Sequence, residues 1–288
     1  MSVPSIAVIN FSTQLNDQDI QRAIRSVNRQ VVEDFLPIWG AGRVLKLHEP
    51  VSDPADIDTL ALEPVYADSV LYLVDEGLLA GALGFHDLNA RDLPFGFVFI
   101  LDANDWTVTL SHEVLELIID PTVNLFAPGP DPRNPANLVL HTYEVCDAVE
   151  RATYRIDEVD VSDFLTPSYF TIGDARGTRN DFLGVGVPSF GVTRNSHIAF
   201  LDLSTGNFVT EIGQQAIPQK VMARGRFRDH PKAQRPLEEK LQGMLAKYQR
   251  EKPLAKRQKE GAQGLSHMPA ITRTGRYQAS AQRMQKKS

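Results

Sequence analysis

The chain has 288 residues, 42% of them hydrophobic, and a formal net charge of −6 at pH 7, a soluble globular composition large enough for one large domain or two modest ones with full cores. Its single cysteine, Cys146, excludes an intrachain disulfide framework and a Cys-based zinc site, so the compartment is reducing or indifferent and any metal is left to His and carboxylates. The opening Met1-Ser2-Val3-Pro4-Ser5 lacks a basic n-region, and the apolar run Ile6 to Ile9 is too short for a signal sequence or a membrane span; no membrane partner is expected.

Ile6 to Phe11 reads as a buried strand. Asn16 and Asp17 then supply helix-start chemistry, and Ile20, Ile24, Val27, Val31 and Phe35 recur at helical spacing up to a stop near Trp39-Gly40. Three strand candidates follow, Arg43 to Leu47, Ser69 to Val74 and Phe95 to Leu101, with Gly81 to Gly84 as a short strand or bend. Ala103-Asn104-Asp105 offers a cap for a helix running to about Ile119, which Asp120-Pro121 closes because the residue before proline avoids the helical region. The order predicts an α/β (α+β) fold, a mixed sheet with helices packed on it.

That second helix carries Ser111-His112-Glu113-Val114-Leu115-Glu116. His112 and Glu116 stand four residues apart, so on a helix they point the same way and can grip one ion, while Glu113 can face a water at that ion. The string is one residue away from the zinc-protease motif H-E-x-x-H, with glutamate in place of the second histidine. The alternative is a merely solvated or hydrogen-bonded polar helix face.

Beyond the helix, Pro121 to Asn137 is rich in Pro, Asn and Gly, and Asn137 to Glu150 returns to an apolar pattern. Tyr154 to Val161 and His197 to Ile212 read as β-rich, with Ser204 to Asn207 as a hairpin turn. The glycines of Gly184 to Pro188 read as a bend between strands, not a phosphate loop. Cys146 reads as a packed thiol. The compact fold, residues 1–217, is expected to end near Ile217. Residues 218–288 read as a basic tail with one amphipathic helix, on which Pro236 opens a stripe from Leu237 to Tyr248, and which is otherwise extended or disordered.

Charge is divided along the chain: residues 1–220 hold 13 Lys/Arg against 31 Asp/Glu, or −18, and residues 221–288 hold 17 against 5, or +12, which together give −6. An acidic partner or larger assembly engaged through residues 224–288, or a tail folded back on its own body, follows from that division. With Tyr248 and Tyr277 as the tail's only tyrosines, nucleic acid is expected to bind only nonspecifically.

From Val8 to about Gly191 the chain resembles a group of uncharacterised bacterial and phage-associated proteins with a zincin-like core. The residues that carry the resemblance are Asp34 to Gly40, Gly81 to His86, Ser111 to Glu116 with Asp120-Pro121, Glu144-Val145-Cys146-Asp147, and Val161 to Phe164. It implies a fold like the catalytic core of zinc metallopeptidases, in which an edge strand binds extended peptide beside the active helix. The protein is expected in the cytoplasm, or in a virion if phage-encoded. A third ligand must come from elsewhere, from Glu144, Asp147, His141 or His86. In the gluzincin class it is a glutamate on a later segment, which favours Glu144, with Asp147 as an alternative ligand or an acceptor for a histidine N–H; a surface helix face is the other reading of both. His86 is expected to be a turn residue near the sheet edge. The expectation is thus a zinc hydrolase, acting on protein or peptide, with His112, Glu116, Glu144 and Asp147 around the metal and Glu113 as base; oxygen ligands also suit Mn²⁺ or Ca²⁺. The rival expectation is a catalytically silent scaffold, without need of a metal, that binds or assembles in a virion through the basic tail.

Overall fold

The computed structural model describes residues 4–49, 67–75, 83–88, 92–101, 105–174 and 177–213. Within them the fold is mixed α and β: a five-stranded sheet, a four-stranded antiparallel sheet, a two-stranded hairpin and two principal helical segments.

The first strand, β1 (Ser5–Asn10), lies inside the larger sheet, and its residues alternate between the two faces. Ile6 and Val8 join the main core with the helices, whereas Ala7 and Ile9 lie in a second apolar layer on the opposite face. α1 (Asp17–Arg29) begins where predicted, with the Asn16 side chain accepting from the Asp19 backbone N–H at 3.0 Å, a cap of the type that contributes about 1 kcal/mol. The predicted apolar stripe is buried through Phe35, but its last part, Gln30–Phe35, is wound as a π-helix before a final α-helical turn, α2 (Leu36–Trp39). The extra residue per turn rotates the stripe, and Trp39 reaches far enough to donate its indole N–H to the Leu165 carbonyl at 2.9 Å. Gly40 ends the segment at φ 69°, left-handed backbone that glycine adopts without steric cost.

β2 (Val44–His48), β3 (Ser69–Val74) and β5 (Pro94–Phe99) are parallel to β1, and β4 (Gly84–Leu88) pairs antiparallel with β5, giving the order β2-β1-β3-β5-β4. Among the described strands β4 is therefore the last of the sheet. Gly81 and Ala82 of the predicted bend lie outside the described residues, and the strand begins at Gly84, later than expected. α3 (Trp106–Ile119) follows the sheet as predicted and ends at Asp120, although Asp105 makes no side-chain cap and residues 103 and 104 lie outside the described residues. Leu110, Val114, Leu115, Leu117 and Ile118 bury α3 against the sheet and α1. Each such fully buried side chain stabilises by about 1.5–3 kcal/mol relative to exposure.

The Pro, Asn and Gly-rich stretch after α3 is not a loop. Phe126–Asp131 forms β6, which pairs antiparallel with β7 (Asn134–Thr142). Proline is tolerated there because β6 is the outer strand of the order β11-β10-β7-β6, where a missing N–H interrupts no neighbour. The two stretches read as β-rich are hairpins: β8 (Thr153–Ile156) with β9 (Val159–Ser162), turned by Asp157 and Glu158 at positive φ, and β10 (His197–Asp202) with β11 (Asn207–Ile212), the one hairpin whose turn was expected. The bend at Gly184 to Pro188 lies in the loop before β10, its Val185 and Gly186 N–H groups donated to Asp181. The expected boundary at Ile217 and the tail with its amphipathic helix lie outside the described residues. Among the described residues no helix is long and apolar enough to cross a membrane.

Candidate metal centre

α3 presents its polar side toward β4. Glu113 and Glu116 are 5% and 3% exposed, which rules out a solvated face, and His112 is partly buried beside them. The helix is fixed in this rotation by Ser111, whose hydroxyl accepts from the Ser162 backbone N–H at 2.7 Å and donates to the Val108 carbonyl.

The segment after β7 closes over this face. Val145 and Cys146 pack into the main core, and the Cys146 backbone N–H donates to Oε1 of Glu116 at 3.2 Å. With those two residues turned inward, Glu144 and Asp147 line the cavity, both 5% exposed. They stand on a tight turn leading into a short 3₁₀ segment (Asp147–Val149), so the surface-helix alternative is corrected. The Cys146 thiol is buried and its Sγ lies 3.8 Å from the His112 carbonyl; burial pushes it well above the usual thiol range, as expected for a packed, unreactive group.

His86 corrects a second expectation. It is a strand residue of β4, not a turn residue. Alternation sends Phe85 into the aromatic layer and His86 to the face that α3 covers. Its Nδ1 lies 3.3 Å from Oε2 of Glu113 and 3.7 Å from Oε2 of Glu116, and its Nε2 lies 3.7 Å from Oε2 of Glu144. His141, the other histidine considered, is on β7, packs against Phe190 and Phe200 and points Nε2 at the Pro130 carbonyl.

Two groups of donor atoms result, each with all atoms within 4.8 Å of one another: His112, Glu116 and Asp147, and His86, Glu116 and Glu144. In the first, Nε2 of His112 is 3.3 Å from both Oε2 of Glu116 and Oδ1 of Asp147. These separations are those of long imidazole–carboxylate hydrogen bonds and are also close to the edge, about 3.3 Å, of a tetrahedron around an ion with bonds of about 2.0–2.1 Å. Asp147 is the carboxylate grouped with His112 and Glu116, while Glu144 is grouped with His86 and Glu116.

Sequence reasoning missed His197 and Glu150. His197, at the start of β10, places Nε2 3.4 Å from Oδ2 of Asp147 and Nδ1 3.5 Å from Oε2 of Glu150. His197 stands 50 positions after Asp147 and 47 after Glu150, and no periodicity links these positions. Together the groups line a cavity of about 280 Å³ that also reaches Leu83, Thr109 and Arg151.

The electrostatics follow from crowding carboxylates in a dry place. Burial alone would depress His86, but Glu113, Glu144 and Glu116 outweigh it and lift the imidazole to about 9; His112 is likewise raised well above its ordinary value by Glu116 against burial. Burial pushes Glu113 up, partly offset by His86 and His112. Burial, with the charge of Glu144, raises Asp120 to about 6, while its oxygens accept from the Asn124 and Leu125 N–H groups and hold the exit of α3. A divalent ion competes with the imidazole protons, so its binding would release them. No family model and no curated protein matches the chain, so a functional reading rests on this donor set.

Proposed function

We propose that the protein is a divalent-metal-dependent hydrolase acting on peptide bonds, with His112, Glu116 and Asp147 as ligands and Glu113 as general base. The supporting observation is the His112–Glu116–Asp147 triangle at the wall of a cavity with a buried carboxylate, Glu113, one position along the same helix. One nitrogen and two oxygens suit Zn²⁺, and also harder ions such as Mn²⁺. Such an ion, when bound, supplies Lewis acidity toward a carbonyl and lowers the pKa of water.

The chain's own residues divide the rest. Glu113, raised by burial, is a stronger base than an exposed carboxylate and takes a proton from the attacking water. His86 Nδ1, 3.3 Å from Oε2 of Glu113, fixes that carboxylate's rotation. Leu83 and the first residues of β4, Gly84 to His86, line the cavity beside Glu113, so an extended peptide lying along that wall would run past Glu113. The zincin-like resemblance points the same way.

A second reading, a silent scaffold that assembles through its basic tail, is favoured by one observation, the +12 carried by residues 221–288 against −18 in the rest. Cleavage of a peptide library by the metal-loaded protein separates the two. The hydrolase reading expects cleavage that falls by about 10²–10⁴-fold in Glu113→Gln with metal content unchanged. Equal cleavage by both proteins removes Glu113 from the mechanism, and no cleavage by either favours the scaffold.

A further inference from the structure

Nε2 of His86 is a buried polar atom that makes no hydrogen bond, in a residue 8% exposed. It faces Oε2 of Glu144 at 3.7 Å, beyond hydrogen-bond range. The other ring nitrogen, Nδ1, is turned to Glu113 at 3.3 Å. A histidine that directs one nitrogen to a carboxylate and leaves the other bare among oxygen donors has the arrangement typical of a metal ligand, in which the far N–H is held by an outer acceptor.

We infer that the cavity holds a second divalent cation, seated by His86, Glu144 and Glu116, and that Glu116 bridges it to the ion of His112 and Asp147. The inference rests on the proposed reading of His112, Glu116 and Asp147 as the first ion's ligands.

Three observations carry it. The two donor groups share one residue, Glu116, whose Oε2 lies 3.3 Å from Nε2 of His112 and 3.7 Å from the His86 ring at Nδ1, with one donor atom each from His86, Glu116 and Glu144 within 4.8 Å of one another. Oε1 of Glu116 accepts from the Cys146 N–H, which holds the carboxylate with Oε2 turned into the space between the two groups. Charge gives the third. Glu113, Glu116, Glu144 and Asp147 are four carboxylates no more than 5% exposed, and a buried carboxylate is costly unless its charge is met. Two divalent ions, bound in exchange for the imidazole protons, would balance the four. A shared carboxylate oxygen is also what sets two ions at the roughly 3.5–4 Å separation of two-metal hydrolytic sites. The donor set of the second position, one nitrogen and two carboxylate oxygens, takes Zn²⁺ or Mn²⁺.

The test is metal stoichiometry of the full chain, stripped with chelator and equilibrated with Mn²⁺ or Zn²⁺ alone, read by elemental analysis, with electron paramagnetic resonance of the Mn²⁺ form. The expected result is two ions per chain and an exchange-coupled Mn²⁺ spectrum. His86→Ala and His112→Ala should each keep one ion and give the six-line spectrum of an isolated Mn²⁺. Glu144→Gln, nearly isosteric, should reproduce the His86→Ala result and serves if His86→Ala does not fold. One ion in the wild type, lost in His112→Ala and kept in His86→Ala, overturns the second site and leaves the first reading standing. One ion lost in His86→Ala and kept in His112→Ala overturns the pair and the first reading together, as does a wild type that takes up no metal.

Discussion

Asp163 shows at a single residue how the fold trades against charge. It is buried beside Phe164 at the end of β9; Oδ1 accepts from the Phe164 and Leu183 N–H groups, at 2.8 and 3.1 Å, and Oδ2 makes no hydrogen bond. Burial, with the charge of Asp181, outweighs those two donors and raises Asp163 to about 7 from an ordinary 3.8. A carboxyl whose folded pKa is raised holds its proton better folded than unfolded, so its contribution to stability is full below about 4 and is lost as pH rises to about 7. Asp163→Asn supplies the neutral form at every pH. We predict that urea unfolding of the wild type weakens relative to Asp163→Asn by a few kcal/mol between pH 4.5 and 8, and parallel pH profiles would show that Asp163 is ionised in the fold. The candidate site divides in the same residue-by-residue way. His112, Glu113 and Glu116 are legible because a helix repeats in 3.6 residues and their spacing is local. His86 was open to the same treatment, since Gly84-Phe85-His86 alternates as a strand does, but a short strand beside glycines also reads as a turn. His197 and Glu150 carry no such signal, because the contact between them is made by β10 meeting a turn.

Among the elements, the meeting of β4 and α3 decides whether the site exists. Gly84 is where they come closest: a methyl group there would lie 2.8 Å from Oε1 of Glu113, from the Phe97 carbonyl and from Cγ2 of Thr109. Two of those neighbours are on α3, and the third is backbone of β5, so the strand cannot retreat without breaking its pairing. We predict that Gly84→Ala costs about 1–3 kcal/mol by thermal denaturation and lowers peptide cleavage beyond that, because Glu113 is displaced; wild-type stability and activity in this variant would show that the strand and helix are looser than described. The long-period elements were readable, α1 from its cap and stripe and α3 from its bounds. The π-helical turn at Gln30–Phe35 was not, since a stripe ending in Val31 and Phe35 fits either winding until Trp39 has a partner across the chain. β6 was hidden for a different reason. Pro128 and Pro130 argue against a strand in general and are harmless only on an outer one, and which strand is outermost is a property of the whole sheet.

On the scale of the whole molecule, an acidic chain of −18 through residue 220 precedes a segment of +12, a division written in the sequence alone. Attraction of that segment to a polyanion should weaken as salt screens it. We predict that truncation after Ala223 leaves the metal content unchanged and abolishes retention on heparin, and that retention of the full chain falls steeply between low and physiological salt; retention unaffected by truncation would place the basic surface elsewhere. The body's claim to chemistry rests on one carboxylate. Glu116 is the residue common to both donor groups, and it sits 3% exposed with one oxygen tied to the Cys146 backbone. Elemental analysis of chelator-stripped, Zn²⁺-equilibrated wild type and Glu116→Ala, with circular dichroism to establish that both are folded, therefore tests the account most directly. The account predicts bound metal in the wild type and none in folded Glu116→Ala; a wild type that stays metal-free, or a variant that binds as much as the wild type, would contradict it.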